Sequence, residues 1–213
     1  MIPHDVHLQI GSLLFEGLDQ IDLTGPFEVL SRIPNSTYRI YGKTARSVRD
    51  IRGLQLMPDA GLADAPPLDV LHVPGGFGQE ALMEDAEVLG WIRQQAAGAC
   101  SIFSVCTGAL LCGAAGLLKG RRATTHWASL HLLPFFGAIP VNERVVVDGS
   151  FVFAAGGVGI EVTKSVGLER VGYNPKQQMA GEMFRGRLAK CVPPTNPQLL
   201  QIEIAQESDL IFD

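Results

Sequence analysis

Residues 101–118 read SIFSVCTGALLCGAAGLL. Ser101–Val105 has the length and composition of a buried strand, and the apolar run stops at Cys106. Thr107 and Gly108 follow, and Ala109–Leu118 then carries helical spacing, with Gly116 and Gly120 loosening its end. A strand, one polar residue, a glycine and a helix form the pattern of a nucleophile elbow, whose sharp turn lifts a side chain clear of the sheet. The helix points its amino end at the sulfur and favours the thiolate. Cysteine also serves as a small buried residue, and that reading is kept for Cys100 and Cys112. Its place at the junction sets Cys106 apart.

Outward from this stretch, strand and helix signals alternate. Val6–Phe15 reads as a first strand. DLTGPFEVL follows, with Asp22 and Thr24 as helix caps, Pro26 as an early helical residue and Phe27, Val29 and Leu30 as the apolar face. Tyr38–Thr44 reads as a second strand, and Arg49–Met57 as a short extra strand pair. LDVLHVPGG, Leu68–Gly76, is a buried strand that ends in a tight turn. Ala86–Ala97 has helical spacing through Val88, Leu89, Trp91, Ile92 and Ala96, and Trp127–Phe135 reads as a helix ended near Pro134 and Gly137. Asp148-Gly149 between Val145–Val147 and Phe151–Ala154 signals a hairpin. Ile160–Val171 reads as a helix, and Asn174-Pro175 caps another that runs to about Leu188.

This alternation predicts a doubly wound α/β fold, a largely parallel sheet between helices. Residues 1–190 read as one domain and 191–213 as a tail, with no internal repeat or interdomain linker. Ligands in such folds sit beyond the carboxyl ends of the strands. Asp22, Gly75-Gly76 and Cys106 all fall at such ends.

Bulk properties narrow the function. The chain has 213 residues, 46% of them hydrophobic, a net charge of −5 and a mean hydropathy of +0.19. That supports a full core and argues against disorder. GRRATTH holds two adjacent arginines but no basic block suited to a phosphate backbone, so no nucleic-acid partner is expected. No apolar run approaches the about 18 residues that span a membrane, and the N-terminus lacks the charged region and cleavage site of a signal peptide. Cys100, Cys106, Cys112 and Cys191 match no zinc spacing. Free thiols in a reducing cytoplasm are the expectation, with no metal and no cofactor.

Around Cys106 the other candidates each carry two readings. Gly75 and Gly76 can turn backbone N–H groups toward developing negative charge, or simply make a strand-to-helix turn. Asp22 can cap a helix. At the mouth beside a thiol, burial would raise its pKa and let it donate a proton. Among the five histidines, His72 lies inside a strand and reads as a core residue. His126, in ATTHWAS, either lines the pocket or starts a helix. Phe77, Trp127 and Ile160 are candidates for apolar pocket walls.

DLTGPFEVL, LDVLHVPGGFG, SVCTGALLCGAAGLLKGRRATTHW and VVVDGSFVFAAGG together resemble the ThiJ/PfpI superfamily, within the class I glutamine-amidotransferase-like, flavodoxin-like fold. The resemblance covers Val6 to about Gly157. Within the superfamily the pattern is similar to the isonitrile hydratase branch, where the elbow reads Cys-Thr-Gly and an Asp stands where many relatives use Glu. Here those are Cys106-Thr107-Gly108 and Asp22. The resemblance implies hydration of a small-molecule isocyanide without a cofactor, a homodimer, and Cys106, Asp22 and Thr107 as catalytic residues. Gly75 and Gly76 would supply backbone donors. A glyoxalase- or deglycase-like enzyme and a cysteine redox sensor of the same superfamily are the alternatives. Peptidases of the superfamily resemble Cys-His at the elbow, where this chain has Thr107. Amidotransferases need a later His, and none follows His131. The 40 residues after Tyr173 are too few for the DNA-binding unit of the related regulators. Near residue 161 relatives carry Gly-Ile-Asp, whereas this chain has Gly159-Ile160-Glu161.

Overall fold

The structure, a computed structural model, describes residues 7–156. The helices read at Ile160–Val171 and after Asn174, the tail, and Ile160 itself lie outside the described residues. Seven strands form the main sheet: β1 (Leu8–Leu14), β2 (Ser36–Gly42), β3 (Ala60–Gly61), β4 (Val70–Val73), β5 (Ser101–Val105), β6 (Val145–Asp148) and β7 (Phe151–Ala154). Their order is β6-β7-β5-β4-β1-β2-β3. Every pairing is parallel except the β6–β7 hairpin at the edge. The helices are α1 (Gln20–Leu30), α2 (Gln79–Leu82), α3 (Ala86–Gly98) and α4 (Gly108–Ala114). The strand pair expected over Arg49–Met57 is present as a separate antiparallel ribbon of Val48–Arg49 and Gln55–Leu56.

Side-chain alternation divides the core between the sheet's faces. On one face Leu13, Leu71, Val73, Ile102, Phe151 and Phe153 pack against α3 and α4. On the other, Leu8, Ile10 and Val70 meet Leu30 and Ile33, and Phe103, Val105, Val152 and Ala154 meet Val29 of α1. Each fully buried Leu, Val or Phe contributes about 1.5–3 kcal/mol of transfer free energy. β1, β4 and β5 are buried nearly throughout, because helices cover a parallel sheet on both sides.

The chain adds β2 and β3 on one side of β1, then reverses and adds β4 and β5 on the other. That reversal opens a crevice at the carboxyl ends of β1 and β4, where ligands bind in open parallel sheets.

Several local expectations are corrected. Asp19, not Asp22, caps α1: its Oδ1 accepts the Ile21 N–H at 3.4 Å, which places Asp22 inside the first turn. Thr24 is helical and donates to the Gln20 carbonyl at 3.0 Å. Pro26 lies well inside the helix, where it removes the donor that Asp22's carbonyl would otherwise receive. α4 is shorter than its spacing suggests because Gly116, at φ +78°, ends it. The segment Trp127–Phe136 winds as a 3₁₀ helix closed by Gly137 at φ +72°. The hairpin loop falls one residue later than expected, at Gly149-Ser150, because Asp148 still pairs with Phe151. Cys100 is disulfide-bonded rather than free. Cys112 is fully buried, as read from the sequence, and burial pushes its thiol up to about 12.

Candidate active site

Cys106 sits at the tip of β5 with φ +56°, a left-handed backbone that costs a non-glycine residue about 1–3 kcal/mol. The surroundings hold it there. Its N–H donates to the Ala154 carbonyl at 2.9 Å, and its own carbonyl accepts the Thr125 hydroxyl at 2.8 Å. Glycines make room for the turn. A Cβ at Gly156 would lie 2.5 Å from the Cys106 Cβ, one at Gly75 2.8 Å from it, and one at Gly108 2.1 Å from the Val73 carbonyl. The thiol-bearing residue is buried, with 8% of its surface exposed.

The loop after β4 is locked to the elbow. The Thr107 hydroxyl accepts the Gly76 N–H at 3.0 Å and lies 3.3 Å from the Gly76 carbonyl, to which it donates. Gly76 is thus engaged by a side chain, not left to face a ligand with its N–H as the sequence reading expected. Gly76 has φ +136°, and a Cβ there would lie 2.3 Å from the Asp19 nitrogen. The neighbouring Gly75 carbonyl accepts the Asp19 N–H at 2.9 Å, and Gly78 N–H reaches the Gly17 carbonyl at 3.0 Å. Backbone bonds therefore join the loops after β1 and β4, and Thr107 joins both to the elbow.

Asp22 is fully buried. Asp22, Pro26 and Val29 recur at helical spacing along one side of α1. Val29 packs on the cluster that contains Cys106. The first turn of α1 thus sets a buried carboxyl at the end of the sheet that carries the thiol.

The remaining candidates divide. His126 is half-buried and caps the 3₁₀ helix, its Nδ1 accepting the Ala128 N–H at 3.3 Å. Burial lowers its pKa, against an opposing pull from Asp19. Phe77 and Trp127 are 81% and 67% exposed, so neither is a buried wall within one chain. His72 is a core residue, as expected: Ser12 Oγ lies 2.6 Å from its Nδ1, and burial pulls its pKa down to about 3. Among the described residues no group of His, Cys, Asp and Glu is arranged to hold a metal, and no helix is long and apolar enough to cross a membrane.

Thr125, Gly156 and Asp19 escaped the sequence reading. Thr125 lies in the ATTHW motif and Gly156 in AAGG, both quoted there, but their contacts with Cys106 are made across the fold. Asp19 was overshadowed by a second Asp three residues on.

The chain is similar in sequence and fold to known proteins. The DJ-1/PfpI family profile matches residues 9–166. The chain is 50% identical over 172 residues to a Pseudomonas putida protein named isonitrile hydratase, covering 80% of this chain and 75% of that one. A ThiJ/PfpI family protein from Pseudomonas syringae superposes with a TM-score of 0.75 at 32% identity, covering 92% of this chain and 80% of that one. Drosophila melanogaster DJ-1beta shares the fold at a TM-score of 0.64 and 22% identity, covering 88% of this chain and all of that one. From the elbow, the parallel sheet and these matches together, the chain belongs to the DJ-1/PfpI family.

Proposed function

We propose that this protein is an isonitrile hydratase, adding water to an isocyanide R–NC to give the formamide R–NH–CHO. The observation that carries this reading is the Cys106-Thr107-Gly108 elbow at the tip of β5, with Asp22 fully buried in the first turn of α1, in a chain 50% identical over 172 residues to a protein named isonitrile hydratase.

The terminal isocyanide carbon accepts both a proton and a nucleophile. In this mechanism Asp22, fully buried, enters as the acid. It gives its proton to that carbon, and the Cys106 thiolate adds to the same atom, forming the thioimidate R–N=CH–S–Cys. Asp22, now a carboxylate, takes a proton from water as the hydroxide adds to the carbon. The hydroxyl proton passes to nitrogen, and collapse expels the thiolate and releases the formamide. Asp22 is again protonated and Cys106 again a thiolate. The Thr107 N–H steadies the charge that develops on the adduct. The Thr107 hydroxyl acts as a clamp on Gly76, which supports a positioning role for the Gly75-Gly76 turn.

The working form we assign is a homodimer. The exposed Phe77 and Trp127 support it, since a second copy would shield aromatic surface from water. Sedimentation at micromolar concentration should give twice the chain mass.

The test is turnover. Purified protein with cyclohexyl isocyanide should yield N-cyclohexylformamide, and Cys106→Ala should yield none. Undiminished turnover by a folded Cys106→Ala protein refutes the mechanism. Methylglyoxal in a parallel assay reads out the aldehyde alternative, which would convert it to lactate.

A further inference from the structure

We infer that Thr125 is a positioning residue for the nucleophile, holding Cys106 in its left-handed conformation from a segment 19 residues further along the chain. The inference rests on the reading of Cys106 as the nucleophile. The Cys106 N–H still bonds β7, but at φ +56° the chain turns after it, and its carbonyl takes its donor from outside the sheet. The Thr125 hydroxyl supplies it at 2.8 Å, and Thr125 is 1% exposed, so no bulk water can replace it.

The neighbouring residue anchors the same segment from its other side. The Thr124 hydroxyl donates to the Glu143 carbonyl at 2.9 Å, and Thr124 is also 1% exposed. Next to Glu143, the Arg144 carbonyl accepts the Ala155 N–H at 2.8 Å, and Ala154 accepts the Cys106 N–H. The two threonines therefore bracket the elbow. One fixes the Cys106 carbonyl, and the other fixes the chain entering β6, whose hairpin partner β7 fixes the Cys106 nitrogen. Both peptide groups of the nucleophile are bound by one side of the fold, while Thr107 ties the far side to Gly76. A strained residue persists where its surroundings over-determine it, and Thr125 is the side-chain part of that restraint.

Val is nearly isosteric with Thr and removes only the hydroxyl function; Ser keeps the hydroxyl and removes the methyl. Thr125→Val, folded by circular dichroism, should lose about 10²-fold in kcat on cyclohexyl isocyanide with KM changed less than about threefold, the mark of a misplaced reacting group and not of a damaged pocket. Thr125→Ser should stay within about threefold of the unsubstituted protein in kcat. Iodoacetamide labelling at neutral pH, followed on the Cys106 peptide by mass spectrometry, should slow in Thr125→Val and not in Thr125→Ser. Labelling is independent of isocyanide chemistry, so it tests the clamp even if the substrate assignment fails. Unchanged labelling and turnover in Thr125→Val overturn the inference. A Thr125→Ser protein that labels and turns over markedly more slowly than the unsubstituted protein also overturns it, whether or not Thr125→Val folds, because the methyl group and not the hydroxyl would then be what matters.

Discussion

Cys106 and Cys112 stand six positions apart, and their environments assign them opposite chemistry. Cys112 is fully buried in α4, and desolvation pushes its thiol up to about 12, so it stays protonated and shielded. Cys106, at the turn, keeps 8% of its surface exposed against none for Cys112. Alkylation of the native protein should therefore fall on Cys106 and spare Cys112, which peptide mass spectrometry after brief iodoacetamide treatment checks. In the proposed mechanism the proton side of the reaction rests on Asp22. An amide at that position keeps the shape but neither donates nor accepts a proton in the catalytic cycle, so Asp22→Asn should lower kcat by about 10²–10⁴-fold. Turnover of the purified variant on cyclohexyl isocyanide measures this, and full activity would remove Asp22 from the acid role. Asp22 was legible as a candidate from its place after a strand. That it is not the cap was not legible, since Asp19 and Asp22 both suit a cap and only the path of the preceding loop chooses between them.

At the scale of elements, the loops after β1 and β4 are fitted to each other through glycines. A Cβ at Gly78 would lie 1.7 Å from the Glu16 carbonyl oxygen, a backbone atom that cannot swing aside. Gly78→Ala should therefore destabilise the fold by about 1–3 kcal/mol. Gly98, at the end of α3, has nothing within 4 Å of such a Cβ and no positive φ. Gly98→Ala should be neutral or stabilising by up to about 1 kcal/mol, chiefly through the unfolded chain. Urea melts of the two variants separate a close approach from a merely helical glycine. The sequence marks Gly78 and Gly98 alike. Whether a glycine is required depends on which backbone passes it, a fact of loop packing that no local pattern encodes.

On the scale of the whole molecule, His72 ties the stability of the sheet to pH. It is buried between β1 and β5, with its ring 5.2 Å from that of Phe103, and desolvation lowers its pKa from 6.5 to about 3. Between those values the unfolded chain binds a proton at this position that the folded chain refuses. Stability from this group is thus complete above pH 6.5 and is lost progressively as the pH falls toward 3. His72→Asn keeps a polar partner for Ser12 and removes the titration. The stability difference between the unsubstituted protein and His72→Asn should be constant above pH 6.5 and shift in favour of the variant below it, as thermal melts across that range would show.

By itself the sequence determined the alternation of strands and helices, the hairpin, the glycine turns and the thiol at a strand-to-helix junction. Each of these is written in periodicity and turn chemistry over a few residues. The tertiary structure alone decided that Thr107 clamps Gly76, that Thr125 holds the Cys106 carbonyl, that Phe77 and Trp127 face outward, and that Cys106 adopts φ +56°. These depend on which strand neighbours which and on where distant loops meet. Hydrogen bonds over 19 and 31 residues of separation exist only once the sheet has brought β4, β5 and the segment before Trp127 together.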